Sequence, residues 1–159
     1  MINSIVYKSN TGFTEKYAKM LSEEINVPVY SLDNINKLDK NKKIIFMGSV
    51  FANNINGYKK AITKFNIKAV IAVGMAEPSK ENDKQLKETN KIESDFFYLQ
   101  GGLDKDKLKG FKKIIINLIG KSLEKKPEKD QKIINIFKNG GNFISKDNLK
   151  DIINWHKEK

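Results

Sequence analysis

Three short hydroxyl side chains, Ser9, Thr11 and Thr14, surround one glycine in the run Lys8-Ser9-Asn10-Thr11-Gly12-Phe13-Thr14. An apolar stretch at residues 2–7 precedes the run, and a helical pattern follows over residues 12–25. Backbone N–H groups at a helix N-terminus are unpaired and carry partial positive charge, so they favour a phosphate. Hydroxyls add hydrogen bonds without bulk, and a glycine admits close backbone approach. The same residue types also serve as simple N-caps. Three hydroxyls around one glycine, directly after a first strand, weigh toward phosphate capture. The run is not a Walker loop, because Gly12 has no Gly-Lys-Ser/Thr partner at the required spacing.

Other chemistry has little to be built from. The chain of 159 residues contains no cysteine, which excludes disulfides, cysteine-held zinc, iron–sulfur clusters and thiol catalysis. Its single histidine, His156, lies near the end of the sequence, so a histidine-based nucleophile pair or metal site is not expected. Hydrophobic residues make up 39% and charged residues 31%, the balance of a folded globular chain long enough for a sizeable core. All 30 basic residues are lysine, and the net charge is +11. Lysine, asparagine and isoleucine are abundant together, so compositional bias and a functional basic surface both account for the charge. Without arginine the usual bidentate reader of guanine is missing, and no sequence-specific nucleic-acid binding is expected. Nonspecific attraction to phosphates or anionic lipid stays open. The first residues read as a strand, not a signal peptide, and no apolar run approaches the ~20 residues of a membrane span. A cytoplasmic location is therefore expected, with weak association at the inner face of the membrane as an alternative.

The elements that must position the loop alternate in type. Strands are expected at 2–7, 27–32, 43–48, 69–74 and 95–100, and helices at 12–25, 57–65 and 79–92. Pro28 demotes the second strand to an edge. Ile44-Ile45-Phe46-Met47 reads as a strand buried on both faces. Alternation of this kind implies an α/β fold: a doubly wound, five-stranded parallel sheet with helices on both faces. Five strands in about 100 residues fit the order 2-1-3-4-5, whose ligand crevice lies between strands one and three. A single domain over residues 1–159 is expected, with a core at 1–103 and a basic helical extension at 104–159 that completes it.

Ser9-Asn10-Thr11-Gly12-Phe13-Thr14 resembles the Ser/Thr-x-Thr-Gly-x-Thr fingerprint of the flavodoxin family. The resemblance covers residues 1 to about 103. It implies that Ser9, Asn10, Thr11, Gly12, Phe13 and Thr14 cradle the phosphate of FMN. It implies that the loop after the third strand, with Ser49, Val50, Phe51, Ala52 and Asn53, packs on the isoalloxazine ring. A flat apolar ring needs an aromatic or aliphatic wall with polar backbone at its edge. Phe51 and Tyr58 suit that wall, and Tyr58 suits the core equally well. The loop after the fourth strand, Gly74-Met75-Ala76-Glu77-Pro78-Ser79, would meet the ring through backbone groups of Met75 and Ala76. It lacks the aromatic that many flavodoxins carry there, which implies a more open ring face.

The stretch from Gln100-Gly101-Gly102-Leu103-Asp104 through residue 119 resembles the corresponding region of flavodoxin-like, quinone-linked protoporphyrinogen oxidases. Read from its residues, 105–123 is an amphipathic helix ended by Pro127. Leu108, Phe111, Ile115, Leu118 and Ile119 form its apolar face, edged by Lys105, Lys109, Lys112, Lys113 and Lys121. It serves either as a last sheet-covering helix or as a surface that docks on anionic membrane. A final helix is expected from about Ser145, with Leu149, Ile152, Ile153 and His156 inward and Trp155 and His156 as packing residues. The functional readings are an FMN electron carrier with a redox partner protein, an FMN oxidoreductase acting on a quinone or other small molecule, and a non-redox interaction domain. The intact phosphate loop counts against the last.

Overall fold

The computed structural model describes residues 1–35, 41–124 and 131–159. Strands β1 (Ser4–Lys8), β2 (Val29–Ser31), β3 (Lys43–Phe51), β5 (Asn66–Gly74) and β6 (Asp95–Gln100) form a parallel sheet. Its order is β2-β1-β3-β5-β6, with the two-residue strand β4 (Asn54–Ile55) antiparallel to the end of β3. Leaving β4 aside, this is the expected order 2-1-3-4-5, and the strand after Pro28 lies at the edge.

Alternation along the central strands explains the layers, because successive strand side chains point to opposite faces. Ile5, Ile45, Met47, Ile71 and Val73 face one core with Tyr17, Ala18 and Leu21 of helix α1 (Phe13–Ile25). Leu149 and Ile152 join the same core from the end of the chain. Val6, Ile44, Phe46, Val70 and Ala72 face the other core. There they meet Tyr58 and Ala61 of helix α2 (Tyr58–Ile62) and Leu86 of helix α3 (Lys80–Asn90). Tyr17 fastens the first core at the functional end of the sheet. Its hydroxyl donates to the Gln100 carbonyl at 2.8 Å and accepts from Asn148 Nδ2 at 2.6 Å.

The tail departs from expectation. Asp104 Oδ1 accepts the backbone N–H groups of Asp106 and Lys107 at 3.2 and 3.3 Å, holding a turn where a helix start was expected. Such Asx contacts offer the backbone an alternative to the helix. Gly110, with φ 58°, then opens helix α4 (Gly110–Glu124) five residues later than the pattern predicts. Helix α4 packs mainly on α5 (Gln131–Asn139), an element absent from the sequence reading. Leu118 is 61% exposed and Ile119 39% exposed, so the expected apolar face is not buried on the sheet. The covering helix is instead α6 (Lys150–Lys157), entered through a 3-10 turn at Lys146–Leu149 that Ser145 caps. Ile152 of α6 is fully buried, while Ile153 and His156 are half-buried. Trp155 packs edge-on against Phe97 at 5.9 Å, and its indole N–H donates to Asp95 Oδ2 at 2.8 Å. Two further short strands, β7 (Gly102–Leu103) and β8 (Gly141–Asn142), pair antiparallel and tie the tail to the end of β6. Pro127 and the side chains of Phe111 and Lys112 lie outside the described residues.

Candidate functional site

The C-terminal ends of β1, β3 and β5 border a cleft of about 300 Å³, within the size range of small-molecule sites. Ser9, Asn10, Thr11, Phe13 and Thr14 line one part of it. Ser49, Val50, Phe51, Ala52 and Asn53 line a second, and Met75 and Ala76 a third. Three segments separated by dozens of residues thus meet in one cavity because the parallel sheet delivers its loops to the same edge. Gly12 does not line the cleft. It stands at the N-cap of α1 with φ 95°, a left-handed conformation that disfavours any side chain. A Cβ there would meet no protein atom within 4 Å, so among the protein's own atoms it is backbone shape that favours glycine at this position.

Ser9 Oγ accepts the Gly12 N–H at 3.0 Å, curling the loop into the helix. The first intrahelical bond, from Lys16 N–H to the Gly12 carbonyl at 3.0 Å, leaves the N–H groups of the first turn without helical acceptors. Thr14 is 1% exposed, and its hydroxyl has no hydrogen-bond partner among the described residues. Buried hydroxyls without partners are uncommon in native structures and call for an explanation. An anion seated at the helix start supplies one.

The second segment is more ordered than a loop. Strand β3 runs on through Val50 and Phe51 and turns back at once into β4, with Phe51 paired to Asn54. The two turn residues, Ala52 and Asn53, have φ 48° and 59°. Positive φ at both central positions is the type I′ requirement of a two-residue hairpin. The expectation that β3 ends at Gly48 is corrected on that ground: β-forming Val50 and Phe51 find a partner strand. Asn56 ties this hairpin to the first loop, donating from Nδ2 to Asn10 Oδ1 at 2.8 Å. Gly57 opens α2 with φ 81°. Tyr58 does not line the cleft; it is 5% exposed and packs against Phe46 with ring centres 6.1 Å apart. Of its two sequence readings, the core one applies.

The third segment is held from behind. Tyr98 donates its hydroxyl to the Ala76 carbonyl at 2.9 Å, and Gln100 Nε2 donates to the Met75 carbonyl at 3.2 Å. With those carbonyls turned back to β6, the loop is fixed at the cleft edge. Burial pushes the Tyr98 phenol far above its ordinary range, so it acts as a neutral donor. Burial also raises the Asp83 carboxyl, opposed in part by Lys87.

The fourth wall was not foreseen. Leu103, Leu108, Ile115, Ile116, Ile119 and Phe137 line the cleft from the tail, so an apolar surface stands where an open side was expected. Leu103, Leu108, Ile116 and Phe137 form a small core of their own. The isoleucine run at 114–116 carried a signal, but which of its residues face the cleft is decided by tertiary packing. Asn82 and Tyr98, also in the wall, were likewise missed. Among the described residues no cluster of His, Asp or Glu suits a metal ion. No described helix is long and apolar enough to cross a membrane.

The family model for the flavodoxin domain, Flavodoxin_5, matches residues 4–130. The chain belongs to the flavodoxin domain family. A solved structure of a flavodoxin from the domain Archaea is 16% identical, with a TM-score of 0.42; the match covers 67% of this chain and 89% of that chain. No curated protein matches the chain.

Proposed function

We propose that this chain binds FMN without covalent attachment and serves as a redox protein. The observation that carries the reading is the buried, unpartnered Thr14 hydroxyl at the free start of α1, in the cleft that also gathers the hairpin and the Met75–Ala76 loop. The phosphate fits the α1 N-terminus, where backbone N–H groups and the Ser9, Thr11 and Thr14 hydroxyls offer donors. A flat ring would lie in the same cleft against Phe51 and the apolar residues of α4 and α5, on which Phe51 and Met75 also pack. Backbone groups of Met75 and Ala76 would meet its polar edge. Bound FMN supplies reversible one- and two-electron chemistry. The protein's part is to orient the ring, exclude water from its apolar walls and hold the phosphate. The absence of cysteine, with His156 far along the chain on α6, argues against a covalent flavin link.

A second reading, an oxidoreductase acting on a quinone or another small molecule, draws support from the tail. An electron carrier needs only an exposed ring edge, whereas α4 and α5 place apolar side chains around the cleft. Ile114 and Leu118 are exposed beside Lys109, Lys113 and Lys121, a combination that would favour weak attraction to anionic lipid. A redox partner protein is the expectation under the first reading. Cofactor released from purified protein, or taken up on reconstitution, should run as FMN. FAD, or no flavin uptake at all, would refute the proposal.

A further inference from the structure

We propose that Asn90, outside the cleft at the end of α3, is the positioning residue for the flavin-side hairpin turn at Ala52 and Asn53. This inference rests on the FMN reading.

A type I′ turn requires left-handed backbone at both central residues, and glycine or asparagine normally occupies them. Here the first is Ala52, whose Cβ makes that conformation unfavourable. The turn is also exposed, so burial does not hold it. Asn90 reaches across from α3 and engages both sides of it. Its Nδ2 donates to the Asn53 carbonyl at 2.8 Å, and its Oδ1 accepts the Ile55 N–H at 3.0 Å. The second proton of Nδ2 goes to the Leu86 carbonyl at 2.9 Å, which anchors the amide to its own helix. Donors and acceptor are thus committed, and the side chain is half-buried. Strained backbone persists where its surroundings over-determine it. Asn54 adds a local bond from Nδ2 to the Ala52 carbonyl at 2.9 Å, whereas Asn90 joins the turn to a different element.

The consequence is functional because Ala52 and Asn53 line the cleft. Loss of the clamp lets the turn relax away from its left-handed geometry and withdraws one wall of the ring site. The phosphate end, built on α1, stays intact. Asn90 therefore acts on the ring through the turn without touching it.

The test measures FMN and riboflavin affinity, with thermal stability alongside, in the parent, Asn90→Ala, Asn90→Asp and the double variant Asn90→Ala/Ala52→Gly. Asn90→Asp keeps the acceptor for Ile55 and loses the donors to Asn53 and to Leu86, so it reads the clamp if Asn90→Ala does not fold. Both single variants should weaken FMN and riboflavin by the same factor, roughly tenfold, since the ring and not the phosphate is affected. Glycine at position 52 should bring the double variant back to within about threefold of the parent, because it removes the strain the clamp opposes. A residue that only stabilises the fold would lower the melting temperature without that rescue of affinity. Single variants that bind both ligands like the parent, or a double variant that stays weak, overturn the inference alone. A parent that binds no FMN overturns the underlying reading instead.

Discussion

Replacing Thr14 by valine should move stability and FMN affinity in opposite directions. The two side chains have nearly the same shape, so the cavity is conserved and only the hydroxyl is lost. In the free protein that hydroxyl is buried without a partner. An unsatisfied buried polar group costs about 1–3 kcal/mol. The variant without flavin should therefore be more stable, by about 1 kcal/mol at the low end of that range. For a domain of this size that corresponds to roughly 2–4 °C in melting temperature. If FMN seats as proposed, the same hydroxyl donates to a charged phosphate, a contact contributing about 1.5–3 kcal/mol. Its loss should weaken FMN by roughly 10- to 140-fold, at about 1.4 kcal/mol per decade. Riboflavin, which has no phosphate, should bind the variant and the parent alike. Scanning calorimetry of the flavin-free protein and fluorescence titration with both ligands give the three numbers. Equal weakening of FMN and riboflavin, or a less stable flavin-free variant, would refute the assignment of Thr14.

Gly12→Ala should cost about 1–2 kcal/mol of stability through its positive φ alone, since no atom crowds the added methyl; chemical denaturation measures it, and a neutral result would contradict the left-handed cap. Asp83→Asn should stabilise the protein at neutral pH, because burial raises that carboxyl and makes its charged form unfavourable in the folded state. The gain should shrink as pH falls through the raised value and vanish below about 4, where the unfolded carboxyl is also protonated; melting curves across pH 3–8 report it. Vesicles rich in anionic lipid should adsorb the protein at low salt and release it at high salt, with each lysine near the surface contributing about 1 kcal/mol. Lys109, Lys113 and Lys121 changed together to glutamine should reduce that adsorption in a sedimentation assay. Salt-resistant adsorption would show that Ile114 and Leu118 dominate.

The fold was legible because its signals are local and repeated. Apolar runs such as Ile44-Ile45-Phe46-Met47 bury on both faces, and the helix between β1 and β2 carries Tyr17, Ala18 and Leu21 on one stripe. The loop that leads into α1 was legible for the same reason: its residues are contiguous and open a helix. What sequence could not supply was tertiary. The hairpin β3–β4 depends on left-handed backbone at Ala52, a residue type that does not announce a turn. The Asn90 amide closes its bonds across 35 and 37 residues. In the tail, the helical spacing of 105–123 was real, but Asp104 and Gly110 delayed the helix. Leu118 is exposed and Ile115, Ile116 and Ile119 line the cleft, a choice of face made by tertiary packing. Tyr58 was ambiguous because a buried aromatic and a ring-stacking aromatic have the same local pattern.

Amide chemical shifts followed by two-dimensional NMR during titration test the central claim most directly. FMN should shift the N–H resonances of Thr11, Phe13, Thr14 and Glu15 at the start of α1, together with those of Phe51, Ala52, Asn53, Met75 and Ala76. Riboflavin should shift only the second group, because it brings the ring without the phosphate. Shifts confined to residues away from the cleft, or identical perturbation of the α1 N-terminus by both ligands, would contradict the site.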